Sequence, residues 1–522
     1  MQLYIEDFNE EITDLANGIE YHDDEVFVAV GPDLWRTKDL DGDGIADTKE
    51  SISHGYAVHI GFGAHGMSGA IIGPDGRLWW GIGDIGMNVI DKAGKQWKYP
   101  NQGVIVRSEL DGSNFEVFAA GLRNTHEFVF DQYGNLISED NDGDHEGERE
   151  RLVYITEGSD SGWRSNWQYG KYTDPDNNNY KVWMDEKLSI PRWEGQAAYI
   201  TPPIQNYVNG PTGMVYNPGT ALSERWANHF FVAEFRGSPS NSPIHAFTLK
   251  PKGASFELDT TIEVASGLLP TGLDWGPDGA LYFGDWIEGW GVKEAGRIWK
   301  LDVPGGENST IRKATKELIQ ADFSGKESEE LSDLLAHPDM RIRQKSQFEL
   351  VKRRNKGWAI LKAKADQSNQ TGIGQLARIH GLWGMGQLAR KDLFYQHAKA
   401  QCIRCHTIWE WGGDAGPVLE GIGSKRSAEH LLTSLIAPSE TLSLGYGVVI
   451  LSLADGETLA GIVQEETSDN ITIKIGKDTS QTVVKSTIKE REDVPSSMPG
   501  VKDILSKKEI RDMVTFLVSL KE

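Results

Sequence analysis

Cysteine is nearly absent. The 522-residue chain holds two, Cys402 and Cys405. A pair separated by two residues cannot staple a disulfide scaffold, so the fold has to rest on buried apolar cores. Long apolar runs are also missing: no stretch approaches the roughly 18 residues that a membrane-spanning helix needs. The N-terminus, "MQLYIEDFNEEITDLANG", has neither a basic segment nor an apolar one and does not read as a signal peptide. Positive charge is in deficit, with 53 Lys and Arg against 77 Asp and Glu and a net charge of −24. Nucleic-acid backbones and anionic membranes would repel such a chain. The length argues for about three domains at roughly 150 residues each.

What is present begins with a repeat. "GPDGRLWWGIGD" (73–84), "DQYGNLISEDND" (131–142) and "GPDGALYFGDW" (276–286) each place a Pro/Asp/Gly turn before an alternating strand, and an apolar strand precedes each. "HDDEVFVAVGPDLW" (22–35) and "NPGTALSERWANHFFVAEFRG" (217–237) are looser copies. Strand, tight turn, strand at long regular intervals predicts an all-β propeller over residues 1–305, with a β-sandwich as the alternative. Five copies are legible. A six-bladed ring is expected, with the missing blade within 155–205 or upstream of Met1 and the first blade truncated.

After a linker (306–327) the period changes to that of helices. Leu331, Leu334, Leu335, Ile342, Phe348 and Val351 form a helical pattern broken at Pro338. Residues 328–396 resemble HEAT-type helical repeats, and so short an array must dock on its neighbours. The third region, 397–522, reads as a mainly helical domain with a β insert at about 445–490. Its last helix opens on a capping box, Ser506 with Glu509.

"HAKAQCIRCHTIWEWGG" (397–413) holds Cys402, Cys405 and His406 in the C-x-x-C-H order of covalent haem c attachment. Two thiols take the porphyrin vinyl groups, and the adjoining imidazole takes the iron. A fragment of a zinc site completed by residues such as His397, and chance, are the other readings. Met498, in the turn-rich "PSSMPG", is the candidate sixth ligand, because Met513 lies on the apolar stripe of the last helix. His/Met ligation suits electron transfer. With "LADGETLAGIV" and "SSMPG" ahead of a final helix, the segment resembles the PVC-type haem-binding cytochrome c domain. That resemblance implies that the Gly416-Pro417-x-Leu419 turn packs by the haem and that the Pro417 carbonyl fixes the His406 imidazole.

"HGMSGAIIGPDGRLWWGIGDIG" (65–86) and "GLRNTHEFVFDQYGNLISE" (121–139) resemble the glucose/sorbosone dehydrogenase family, whose soluble members use pyrroloquinoline quinone (PQQ). The resemblance implies His65 as the catalytic base toward a sugar hydroxyl, Arg123 and Asn124 at the quinone, and Arg236 near the cofactor-binding lysine. The chain departs from the pattern at Leu269, Pro270 and Thr271, where the family carries an arginine pair, and at Ala64 beside the histidine. Read from the residues alone, His65 is equally a loop histidine and Arg123 equally an ion-pair partner.

"DLDGDGIADTKE" (39–50) has the spacing of a calcium loop. Asp39, Asp41, Asp43, the Ile45 carbonyl, Asp47 and Glu50 would supply the oxygens, with a solvated acidic turn as the alternative. "EDNDGDHEGERE" (139–150) is a second, less regular acidic run.

The expectation is a multidomain c-type haem electron-transfer protein with a dehydrogenase-like propeller. It would oxidise a sugar or other alcohol and pass electrons to the haem and then to an external redox partner. The joined architecture resembles membrane-bound dehydrogenase-like haem proteins. Haem c attachment places it in the periplasm or otherwise outside the cytoplasm, with the signal peptide missing from this sequence. The alternative is a non-catalytic propeller that binds a ligand or partner, with a haem that relays electrons for another enzyme.

Overall fold

The computed structural model describes residues 3–5, 8, 16–59, 65–142, 149–166, 185–291, 295–368, 371–390, 400–408, 411–440, 445–476 and 479–520. The chain forms two compact units, residues 1–385 and 386–522. It is mostly β, with several sheets and few helices.

Among the described residues the first unit holds five antiparallel sheets of three or four strands, taken in chain order, and a two-stranded hairpin, Met87–Ile90 with Gln96–Tyr99, inserted in the second. The first comprises Gly18–His22, Glu25–Val30, Asp33–Lys38 and Thr48–His54, and the second Met67–Ile72, Leu78–Ile82, Gly103–Ser108 and Glu116–Leu122. The third comprises Thr125–Phe130, Leu136–Asp140, Arg151–Ile155 and Gln205–Asn206. Pro211–Tyr216, Phe230–Glu234, Ile244–Lys252 and Ser255–Ala265 make the fourth, and Pro270–Trp275, Leu281–Asp285 and Arg297–Leu301 the fifth. Each sequence repeat falls in one of these sheets. The first strand of each sheet packs on the first strand of the next, a propeller-like arrangement.

Side-chain alternation explains the stacking, because neighbours along a strand face opposite sides of its sheet. Trp80 joins a core with Phe27 and Leu34 of the first sheet. Trp79, one residue earlier, joins Phe128 and Leu136 of the third. Phe230 and Phe231 divide in the same way between the cores on either side of the fourth sheet. Where first strands meet, small residues let the backbones touch: a Cβ on Gly18 would lie 2.8 Å from the Gly69 carbonyl carbon.

One expectation about the ring is corrected, and the count of five legible copies is matched. The first sheet is not truncated, since it has its four strands; the three-stranded sheet is the fifth. Among the described residues there are five such sheets, as many as the legible copies. Residues 155–205 hold no extra sheet there, contributing only the end of the third, and 167–184 lie outside the described residues.

Five helices follow within 310–390: α1 (Thr310–Gln320), α2 (Ser328–Leu334), α3 (Met340–Lys352), α4 (Asn355–Ala365) and α5 (Ile373–Arg390). Helix α3 docks across one end of the sheets. Gln344 Nε2 donates to the carbonyls of Ile72 (3.0 Å) and Gly73 (3.2 Å), and Gln347 Nε2 to that of Pro74 (2.8 Å). Thr220 Oγ1 donates to Asp339 Oδ2 at 2.6 Å, while Asp339 Oδ1 caps α3 by accepting from Arg341 N at 3.0 Å. These contacts tie the second and fourth sheets to one helix.

In the second unit a 3-10 turn at Cys402–Arg404 precedes α6 (Ile422–Lys425) and α7 (Ala428–Ile436). A five-stranded antiparallel sheet follows, spanning Val448 to Asp493 with its own core of Leu451, Ile471 and Ile473. The last helix, α8 (Lys507–Ser519), has both bonds of the Ser506–Glu509 capping box. It packs with Leu431, Leu435, Val501 and Leu505 in a separate core.

Candidate functional sites

His65 stands at the start of the strand Met67–Ile72, at the opposite end of that strand from α3. Its Nδ1 lies 3.5 Å from Asp84 Oδ1, and Asp84 is fully buried. Arg123 and Asn124 come from the corresponding place on the third sheet. Asp140 fixes both by accepting their backbone N–H groups at 2.9 and 2.8 Å. The Asn124 amide donates to His126 Nε2 at 2.9 Å, which puts the His126 proton on Nδ1. His126 meets His65 edge to face, with ring centroids 6.4 Å apart. Burial first, then His65 and Arg123, push the His126 imidazole down to about 3, so it is neutral. Gly83 makes the approach feasible, since a Cβ there would lie 2.4 Å from the His65 carbonyl oxygen and 2.9 Å from Asn124 Oδ1. His65, Arg123 and Asn124 are thus brought together. Asp84 and His126 complete the group and were missed from sequence, although Asp84 ends the "GIGD" of a repeat.

This group sets an imidazole beside a buried carboxyl and an amide, an arrangement that can take the proton of a hydroxyl. Among the described residues it does not fit PQQ. A tricarboxylate quinone calls for a cationic clamp. Arg123 instead donates to Asn141 Oδ1 at 2.6 Å and lies over the Trp163 ring. Arg151 is committed to Asp140 and Asp142, each at 2.6 Å. Four carboxyls, Glu139, Asp140, Asp142 and Glu150, are buried around them. Burial holds Glu139 and Asp142 well above the usual carboxylate range. Leu269 is fully buried, and its N–H donates to Asp285. Arg236 is half exposed and 4.0 Å from Glu234.

In the acidic loop, Asp39, Asp41 and Asp43 present oxygens within 4.8 Å of one another. Asp39 accepts from the N–H groups of Gly42 and Gly44, at 2.7 and 2.8 Å. Those bonds hold its carboxyl below the usual range. Asp47 is turned to the Leu40 N–H at 2.7 Å, and the Ile45 N–H donates to Asp43. Glu50 sits exposed on the strand Thr48–His54. The three aspartates are therefore gathered, while Asp47 and Glu50 are not part of that group.

The C-x-x-C-H turn has the most defined geometry. His406 N donates to the Cys402 carbonyl at 3.0 Å, folding the imidazole back over the turn. His406 Nδ1 donates to the Pro417 carbonyl at 2.9 Å, so Nε2 is the nitrogen that would coordinate a metal. Gly416 lies flat against the ring: a Cβ there would be 2.6–3.1 Å from the imidazole atoms His406 Cε1, Nδ1 and Nε2. Met498 and Cys402 border one apolar cluster, in which Met513 is buried core. These donors fit a covalent haem: two thiols on one turn, an oriented imidazole and a thioether on a shared apolar lining. They fit zinc less well, since among the described residues only the three aspartates form a gathered group of metal-ligating side chains. His397 lies outside those residues.

Residues 6–290 match the model of a family described as "Domain of unknown function (DUF7133)". No curated protein matches. Among solved structures the chain is similar to the PQQ-bound aldose sugar dehydrogenase of Streptomyces coelicolor, at 17% identity and TM-score 0.35 over 54% of this chain and 75% of that one. The soluble aldose sugar dehydrogenase of Escherichia coli, in its apo form, is similar at 15% identity and TM-score 0.34 over 54% and 76%. The PQQ domain of pyranose dehydrogenase from Coprinopsis cinerea is similar at 16% identity and TM-score 0.27 over 52% and 90%. Likenesses this distant do not speak to activity.

Proposed function

The chain belongs to the DUF7133 family, and from that premise we propose that it is a c-type haem electron-transfer protein with a dehydrogenase-like first unit. The carrying observation is the His406 Nδ1 bond to the Pro417 carbonyl, with Gly416 against the ring inside a C-x-x-C-H turn. That bond fixes the tautomer and orientation that a proximal ligand requires. Cys402 and Cys405 would hold the haem covalently, His406 and Met498 would ligate its iron, and the bound haem would exchange single electrons. Such attachment would put the protein in the periplasm or another extracytoplasmic compartment. No helix among the described residues is long and apolar enough to cross a membrane.

In the first unit, His65 backed by Asp84 would take the proton of a hydroxyl on a carbohydrate or other alcohol, and Asn124 would orient that hydroxyl. No step is routed through PQQ, because at the family's clamp position the chain carries Leu269, Pro270 and Thr271 in place of an arginine pair. Buried Leu269 at the clamp position favours the second reading, a first unit that binds a hydroxylated ligand while the haem serves another enzyme. Asp39, Asp41 and Asp43 would take a structural Ca2+. The experiment that separates the readings uses the oxidised holoprotein with calcium and a panel of sugars and alcohols, followed at the haem absorption bands. Reduction by one substrate, lost in His65→Ala, supports the dehydrogenase. Ligand binding without haem reduction supports the binding module.

A further inference from the structure

A cavity of about 190 Å³ lies where the sheets of the first unit meet α3 and α5, at the far end of the first strands from His65. Phe130, Trp275, Met340 and Trp383 supply apolar wall, and three of these are aromatic. Asp274 also lines it. It is the exposed residue of the strand Pro270–Trp275, set between buried Leu273 and Trp275. Its Oδ1 accepts from the Trp275 N–H at 2.7 Å, and no donor among the described residues takes Oδ2.

The other charges around the cavity are committed. Asp131, the second carboxyl of the lining, is tied into its own turn. It accepts from the N–H groups of Tyr133 and Asn135, at 2.8 and 2.9 Å, and from the Asn135 amide at 2.9 Å. Arg341 is the cation among the described residues of the lining. Its Nε and Nη2 donate to Asp339 at 3.0 and 2.9 Å, and its Nη1 donates to the carbonyls of Trp275 and Gly276. Its donors therefore leave the Asp274 carboxyl open. Arg343, behind the lining, donates to the carbonyls of His337 and Pro338. Burial keeps Tyr216 and His380 in the wall neutral. Glu20 and Glu127 stand close enough to feel the Asp274 charge, and neither can add a positive one. Asp131, Asp274 and Asp339 thus outnumber the two guanidinium groups. Burial raises the Asp131 and Asp274 carboxyls above their usual range, a cost that a bound cation would offset.

We infer that this cavity is a binding site for a small organic cation, an ammonium group carried on an apolar ring. The ammonium would pair with the Asp274 carboxylate, and the ring would lie on the aromatic wall. An apolar cavity of about 150 Å³ is enough to take up benzene, so a single ring fits. A bare metal ion does not suit the site, since calcium and magnesium need several oxygens and the lining offers one open carboxyl. An anion would meet the excess of carboxylates. This inference is independent of the haem and of His65.

Calorimetric titration of the full chain with benzylamine, benzyl alcohol and methylammonium tests it, at neutral pH and physiological salt. Benzyl alcohol keeps the ring without the charge, and methylammonium keeps the charge without the ring. Benzylamine should bind at a single site, at least about tenfold more tightly than either. In Asp274→Asn, which keeps the side-chain shape, its preference over benzyl alcohol should vanish. Four results would each overturn the assignment: benzylamine no tighter than benzyl alcohol, benzylamine no tighter than methylammonium (general attraction to an acidic protein), no binding of any probe, or a preference that survives Asp274→Asn. The three-probe comparison needs no variant, so it decides the question even if Asp274→Asn does not fold.

Discussion

Single atoms make the sharpest claims. Gly416→Ala would drive a methyl group to within 2.6–3.1 Å of the His406 ring. The imidazole would tilt off the Pro417 carbonyl, and most covalent haem should be lost, or its spectrum altered, when the variant is matured in parallel with the natural protein. Full incorporation with an unchanged spectrum would contradict the pocket described here. Met498→Ala should leave haem attached but lower its reduction potential, because a thioether ligand raises it; redox titration reads this directly. The contact of His406 with Pro417 was legible only through the resemblance to the PVC-type haem-binding domain, since the two lie 11 positions apart with a short hairpin between them. Asp84 and His126 were not, because their roles arise only when two sheets converge on His65. The clamp position was legible for what it lacked, and buried Leu269 leaves no cation there.

Among the elements, α3 does the most to join the first unit. Asp339 is fully buried, caps α3, pairs with Arg341 and accepts from Thr220. Asp339→Ala removes a cap and a buried hydrogen-bond partner together, at about 3 kcal/mol. Urea unfolding followed by tryptophan fluorescence should show that loss as a lower midpoint. An unchanged midpoint would mean that the helix is held without the Asp339 contacts. Sequence exposed the five sheets through their turns, since Pro/Asp/Gly chemistry marks a hairpin wherever it occurs. Strand number was less legible. The outer strand Gln205–Asn206 is two residues long and carries no alternation to read, and the fifth sheet closes with three strands. Which residues of α3 face the sheets was also hidden, because Gln344 and Gln347 dock through polar bonds that hydrophobic periodicity ignores.

Across the whole molecule, the acid excess has a counterpart inside the first unit. Burial, followed by the charge of Asp274, pushes both Glu20 and Glu127 up to about 8. A carboxyl with a raised folded value binds its proton more tightly folded than unfolded. Its contribution is fully present below the unfolded value near 4.5 and is lost as pH rises toward 8. Thermal melts should therefore show the first unit losing stability between pH 5 and pH 8. Glu127→Gln should flatten that slope, and an unaltered slope would show that Glu127 is not among the groups responsible.

The central claim is that the second unit holds a covalent haem, and mass spectrometry of the intact full-length protein tests it most directly. After export alongside haem c maturation machinery, the account predicts one haem added through two thioether bonds, no thiol at Cys402 or Cys405, and a c-type absorption spectrum. A chain carrying no haem, with both cysteines recovered as free thiols, would contradict it.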